Sequence, residues 1–402
     1  MNVLLVGSGA REHALAWRLA QSPSLTELHA APGNPGIAAL GVCHPVRPDD
    51  GDGLLALALS LETELAIIGP EGPLVAGVAD DLRRNGIAVF GPSAAAARIE
   101  GSKSFAKEVL RAAGVPAAEA LSVARPPCVI KADGLAAGKG VFVCRTGDEL
   151  EAALRAVQAL GGGVVIEELL EGREVSVFAL SDGREVVAVA AAQDFKRIGD
   201  GDTGPNTGGM GAYSPVPWLE DIGAVIEGVH RPVIAELHRR GTPFVGCLFA
   251  GLMITDEGPK VLEFNARFGD PETQVLVPRL QGDLLEVLAA AARGDLSGTA
   301  VAADASSAVT VVLASPGYPG SSDYAGVTIN GLDAAEAGGA LVFQGGTAVR
   351  DGRVVTTGGR IVSVTGRGSS VAEARASAYR AVELVSFDGA RFRRDIAAGA
   401  DE

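Results

Sequence analysis

In the first hundred residues, short apolar runs alternate with amphipathic segments: "NVLLV", "REHALAWRLAQ" and "ELHAA", then "ELAIIG", "PLVAGVADDLRRNG" and "IAVFG". The short runs read as strands buried on both faces, and the longer segments repeat their apolar residues at helical spacing. Alternating strand and helix implies a parallel sheet with helices on its faces. Three strands run into loops of glycine, proline and polar residues: "GSGAREH" from Gly7, "APGNPG" from Ala31 and "GPEGP" from Gly69. Such loops gather at the carboxyl edge of the sheet, where ligands bind.

Gly7 and Gly9 fit the first two glycines of a dinucleotide fingerprint, but two details oppose that reading. The third glycine position holds Glu12, which puts a carboxylate where a pyrophosphate would sit, and "AAP" after the second strand lacks the acidic residue that grips an adenosine ribose. The amides at this helix start still suit one phosphate, supported by Arg11. The alternative is that the glycines serve only a tight turn and close packing.

Near Gly101 the alternation gives way to an α+β pattern. A helix "SKSFAKEVLRAAG" leads to short strands in "CVIKADG", "GVFVCR", "VVIEELLEG" and "EVSVFALSDG", with a helix "GDELEAALRAVQAL" among them. Gln193 to Pro215 reads as a long irregular loop, of a length that is usually functional or disordered. A helix over about 221–240 and two strands, "GCLFAGLMIT" and "KVLEFNARF", close the middle region. From Ala305 a small α+β domain is expected, ending in a helix with Val371, Ala374, Ala378, Val382 and Val385 on one face. The expected domains are 1–101, 102–304 with a lid over about 115–180, and 305–402. The class is multidomain α/β and α+β.

The formal charge of −15 disfavours nucleic acid and anionic membrane as partners. The opening "MNVLLVGSGAREH" has too short an apolar run for a signal peptide or a membrane span, so a cytoplasmic monomer acting on small molecules is expected. Cys43, Cys128, Cys144 and Cys247 form no CxxC pair and the five histidines no HExxH pair, so zinc chemistry is not expected.

The chemistry concentrates in "KVLEFNARFGDPE" from Lys260. On a regular strand Val261, Glu263 and Asn265 share one face, and Leu262 and Phe264 the other. A Glu and an Asn side by side on an apolar strand need partners, and magnesium, a hard cation bound through one or two protein oxygens plus phosphates, is a natural one. Arg267 continues along that face with a fork suited to a carboxylate or acyl phosphate. A solvated edge strand is the alternative. Lys103 and Lys131 are candidate phosphate or adenine-site cations, although single lysines are often surface charges. "VVIEELLEGREV" offers Glu167, Glu168 and Glu174 to adenine and ribose, or forms an exposed acidic hairpin. "KADGLAAGKGV" suits a flexible cover over phosphates, but its spacing is not that of a P-loop.

The ordered blocks "GSGAREHA", "APGNPG", "GPEGPL", "EGSKSFAK", "IKADGLAAGKGV", "EELLEGREVSV", "QDFKRIGDGDTGPNTGGMGAYSP" and "LEFNARFGDPETQ" closely resemble the glycinamide ribonucleotide synthetase family of ATP-grasp ligases. The resemblance spans essentially the whole chain. It implies a Rossmann-like pre-ATP-grasp domain, an ATP-grasp domain with a mobile lid, and a small C-terminal domain. It also implies ATP with Mg2+ or Mn2+, joining glycine to 5-phosphoribosylamine through a glycyl phosphate, with transient contact to the enzyme that supplies the labile amine. Residue by residue, it implies that Lys103 and Lys131 contact ATP under a cover containing Gly138, Lys139 and Gly140. Glu167, Glu168, Leu169 and Leu170 would form the adenine hinge, with Glu174 on the ribose. Glu263 and Asn265 would be the metal ligands. Lys131, Arg267 and Asp270 are the implied catalytic residues. Gly9, Arg11, Glu12, Asn34, Pro70 and Glu71 would meet the phosphoribosylamine, and Asp202, Thr203, Gly208, Gly209, Met210 and Arg267 the glycine side. Two departures are visible: the stretches between Gly114 and Val129 and around "QALGGGVVIEE" are shorter than the family pattern, and no acidic residue precedes the Glu-x-Asn pair in "AGLMIT". Another ATP-grasp ligase or carboxylase with a different acceptor is the nearest alternative.

Overall fold

The computed structural model describes residues 1–135, 140–321 and 323–400. Five parallel strands form the first sheet, in the order Val42–Cys43, Glu27–Pro32, Asn2–Gly7, Leu65–Ile68 and Ala88–Phe90. Val3, Leu4, Leu5 and Val6 are all buried, as a strand covered by helices on both faces requires. The helix Ala10–Leu19 starts sharply because Glu12 reaches back to accept the Gly9 N–H at 2.6 Å.

Eight antiparallel strands form the main sheet. From edge to edge they are Gly258–Asn265, Val245–Thr255, Arg173–Asp182, Val186–Asp194, Gly211–Ser214, Ser307–Ala314, Arg360–Gly368 and Leu341–Gln344. The last hundred residues therefore extend the sheet of the middle region rather than building one of their own. The join is Gly211–Ser214, which lies inside the segment expected to be an irregular loop. Its residues are all buried, so their backbone groups need the ladder partners that the two neighbouring strands supply. The rest of that segment carries a small hairpin, Arg197–Gly199 with Thr203–Asn206. The expected helix over 221–240 is interrupted by a π turn at Ile226–His230, which ends two residues before Pro232, a residue with no N–H to continue the ladder. The helix Val371–Val382 lies directly on the sheet: a Cβ on Gly366 would stand 2.2 Å from the Ala378 nitrogen.

Within the stretch expected to be a lid is a separate three-stranded antiparallel sheet, ordered Val141–Cys144, Cys128–Ala132 and Val164–Glu168. The helix Gly147–Leu160 covers it, started by a reciprocal cap between Thr146 and Glu149. Its core of Cys128, Ile130, Ala132, Cys144, Ala153 and Val157 is distinct from the two large cores of the body. This sheet ends at Glu168, short of the expected limit near 180. The strand from Arg173 is buried almost throughout and belongs to the main sheet. All four cysteines are free, and among the described residues no helix is long and apolar enough to cross a membrane.

Candidate active site

Between the lid sheet, the helix Lys103–Ala113 and the edge strand Gly258–Asn265 lies a cavity of about 500 Å³. Glu263 and Asn265 line it. The edge strand does not alternate regularly as expected. Its register against Val245–Thr255 shifts between the pairs Gly251↔Glu263 and Leu252↔Val261, a bulge at Leu262. The extra residue takes Val261 out of step with Glu263: Val261 is buried away from the cavity, while Leu262, Glu263, Phe264 and Asn265 line it. Gly251 gives Glu263 room, since a Cβ there would stand 3.3 Å from the Glu263 Cγ. The Leu262 carbonyl accepts from Lys131 Nζ at 2.9 Å.

Among the described residues Glu263 makes no hydrogen bond or ion pair, and no group of three or more metal-ligating side chains occurs. A hard carboxylate and a neighbouring amide oxygen on a cavity wall, with the other positions left to phosphates and water, fit a magnesium-type ion.

Lys131 is buried and joined to Glu167 at 2.6 Å. The other oxygen of Glu167 meets Lys107 at 2.6 Å. Lys107 stands one helical turn beyond Lys103, a spacing that marks it as a site residue although the sequence reading missed it. Glu167, expected at the adenine hinge, lines the cavity and is a buried counter-ion between two lysines, 2% exposed. Lys103 donates to the Gly134 carbonyl at 2.9 Å, and burial lowers its pKa, as it does for Lys107.

Arg267 lines the cavity and pairs with Glu100 at 3.0 Å and Glu71 at 3.3 Å. Burial disfavours the charge of Glu71, but Arg267 and Arg11 overcome it and hold its pKa at about 2, against an ordinary 4.5. The folded value lies below the unfolded one, so the stability that Glu71 contributes is complete above the ordinary range and is lost as pH falls through that window. In acid titrations of wild type and Glu71→Gln, the stability gap is expected to close between about pH 4.5 and 2. A gap that stays constant to the acid limit would remove Glu71 from the acid response.

A second cavity, of about 340 Å³, opens beside the first and is lined by Ser8, Gly9, Asn34 and residues of the C-terminal segment. Asp270 and Arg360 line both cavities and pair at 2.9 Å. Of the residues expected at the acceptor, Gly9 and Asn34 face the second cavity, whereas Arg11, Pro70 and Glu71 face the first. Asn34 donates to the Ser8 carbonyl at 2.9 Å and the Gln344 carbonyl at 2.7 Å, so its amide joins the two chain ends.

Several expected site residues lie elsewhere. Glu12 is turned inward on Gly9 and Arg11; a Cβ on Gly69 would stand 2.0 Å from its Oε1, so glycine makes the slot that the carboxylate fills. That carboxylate occupies the helix start that a pyrophosphate would need. Glu168, Leu169, Leu170 and Glu174 do not line the large cavity. Glu168 accepts the Glu119 N–H at 2.9 Å, and Glu174 pairs with Lys196. Asp202 and Thr203 are exposed and line neither cavity; Asp202 pairs with the buried Arg393 at 2.7 Å. Met210 is fully buried in the core. Gly208 lines the first cavity, while Gly209, at φ +107°, packs on Pro271. Gly140 lines the cavity, and Gly138 and Lys139 lie outside the described residues.

Residues 1–100, 101–273 and 308–399 match, in turn, the N, ATP-grasp (A) and C domains of phosphoribosylglycinamide synthetase. The chain belongs to the phosphoribosylglycinamide synthetase family. It is 51% identical to the phosphoribosylamine–glycine ligase of Streptomyces coelicolor, across 100% of this chain and 99% of that one. It is 48% identical to the enzyme of the same name from Mesorhizobium japonicum, across 98% and 97%. The crystal structure of phosphoribosylamine–glycine ligase from Thermotoga maritima superposes with a TM-score of 0.86 at 34% identity, covering 99% of this chain and 100% of that one. Biotin carboxylase from Campylobacter jejuni, at 15% identity and a TM-score of 0.71 over 97% and 92%, shares the fold. An ATP-grasp domain implies ATP binding, which agrees with a synthetase-family cavity walled by Lys103, Lys107 and Lys131.

Proposed function

We propose that the chain ligates glycine to 5-phosphoribosylamine, consuming ATP and yielding glycinamide ribonucleotide, ADP and phosphate. The observation that carries this reading is the convergence of three lysines, Glu263, Asn265 and Arg267 on one cavity, in a chain whose full-length relatives bear that ligase name. A carboxylate oxygen of glycine attacks the γ-phosphorus and ADP leaves. The amine nitrogen then attacks the acyl carbon of glycyl phosphate, phosphate leaves, and the nitrogen loses a proton. No protein nucleophile is needed, so the chain's task is alignment and charge neutralisation.

Lys103, Lys107 and Lys131 neutralise the polyphosphate, and Arg267 orients the carboxylate that is phosphorylated. Glu263 and Asn265 would hold Mg2+ or Mn2+, which when bound screens the phosphate charge. The lid excludes water that would hydrolyse the acyl phosphate.

ADP release with ATP, Mg2+, glycine and freshly generated phosphoribosylamine, each omitted in turn, tests the reading. Turnover that needs all four is the expected result. Turnover that persists without glycine or the amine would point to a different acceptor and sink it.

A further inference from the structure

Two carboxylates, Glu71 and Glu100, flank Arg267 from two helices packed on each other. Glu71 opens the helix Glu71–Ala76, and Glu100 lies in the last turn of Ala94–Gly101. The start of the second helix is tied down twice: Ser93 accepts the Ala96 N–H, and Asp80 accepts the Ala94 N–H at 2.7 Å. Its end lies close on the first, since a Cβ on Gly101 would stand 3.2 Å from the Val75 Cγ2. Glu100 is therefore fixed on the N-terminal region, whereas Arg267 follows the edge strand of the main sheet.

The two carboxylates differ in what they hold. Glu71 meets the Arg267 Nε at 3.3 Å. Glu100, with a side chain 7% exposed, uses both oxygens: Oε1 pairs with Arg267 Nη2 at 3.0 Å, and Oε2 accepts the Ala266 N–H at 2.8 Å. One carboxylate thus grips the guanidinium and the backbone beside it. The same Nη2 donates to Asn265 Oδ1 at 3.3 Å, so the clamp also reaches the side chain placed to hold a metal ion. Burial penalises both charges and raises the pKa of Glu100, while Arg267 stays above its ordinary value because Glu100 and Glu71 favour its charge. Buried ion pairs contribute little net stability, since desolvation offsets the attraction. The value of this one lies in where it puts Arg267.

We propose that Glu100 is a positioning residue of the ligation: it holds the Arg267 guanidinium and the Asn265 end of the strand so that the carboxylate of glycine lines up with the γ-phosphorus. The proposal rests on the ligase reading and deepens it, because alignment in the first cavity then depends on a carboxylate supplied by the N-terminal region. A misplacement of about 1 Å at such a group costs about 100-fold in rate.

Glu100→Gln keeps the shape and an acceptor for the Ala266 N–H and removes the charge that holds Arg267. Well below its unfolding midpoint, this variant is expected to show kcat lowered by about tenfold or more and KM for ATP within about twofold of wild type, because the lysines hold the nucleotide. In an Arg267→Met background the same change should cost less than about twofold, because the residue through which Glu100 acts is gone. Should Glu100→Gln fail to fold, Glu100→Asp, which keeps the charge but not the reach, is carried through the same cycle. A full-sized loss in the Arg267→Met background, or wild-type kcat with only a lowered unfolding midpoint, would overturn the proposal and leave the ligase reading standing. Wild type that turns over without glycine would remove the ligase reading, and this role of Glu100 with it.

Discussion

Glu263→Gln is expected to fold normally and to lose most of its turnover. The substitution keeps the volume of a side chain that makes no hydrogen bond or ion pair among the described residues, so nothing in the packing is removed. The negative charge that a hard divalent ion requires is removed, and Asn265 alone offers only a neutral oxygen. Removing even a group outside the metal's direct ligands costs about 10–100-fold in affinity or activity. Loss of the carboxylate itself should exceed that range, and the Mg2+ concentration for half-maximal rate should rise with it. Titrating Mg2+ at saturating ATP separates the two effects. Near-normal turnover with an unmoved Mg2+ midpoint would strip Glu263 of its role.

Glu167→Gln is expected to damage stability first and catalysis as a consequence. Glu167 is on the lid sheet, Lys107 on the helix of the body, and Lys131 on the lid, where it also reaches back to the Leu262 carbonyl of the body. The carboxylate therefore closes a buried ionic bridge across the junction. Without it two largely buried ammonium groups lose their common counter-ion, and breaking such a pair costs about 3–5 kcal/mol. Urea unfolding without nucleotide should show a loss of that order, and saturating ATP should restore part of it, because phosphates bring negative charge to the same lysines. A change below about 0.5 kcal/mol would mean that the bridge contributes nothing to the fold.

Which parts of this site could be read from the chain follows from the range of the interactions. Glu263, Asn265 and Arg267 were legible because strand geometry relates neighbours two apart, and the local bulge kept the pair on the cavity although it moved Val261 off that face. The parallel N-terminal sheet was legible for the same local reason. The pairing of Glu167 with Lys107 and Lys131 was not legible, because an acidic residue after an apolar strand looks alike whether it faces solvent or two buried lysines. The join between the middle and last regions was hidden because Gly211–Ser214 is too short and too rich in small residues to stand out from a loop. Arg360 could not be found at all. Its partner Asp270 is 90 residues away, and nothing in the local sequence of either residue announces the other.

The separation of one small hydrophobic interior from the two large ones has a consequence for the molecule's history. Val129 to Glu168 is organised around a small core of its own, joined to the rest by a few polar bridges. The body's continuous sheet does not sense how many residues that outer piece contains. Insertions and deletions there that spare Lys131 and Glu167 leave the cavity walls built on the main sheet at their spacing, so the outer piece tolerates changes of length. A single lost residue in Gly211–Ser214 would shift the pairing of strands on both sides at once.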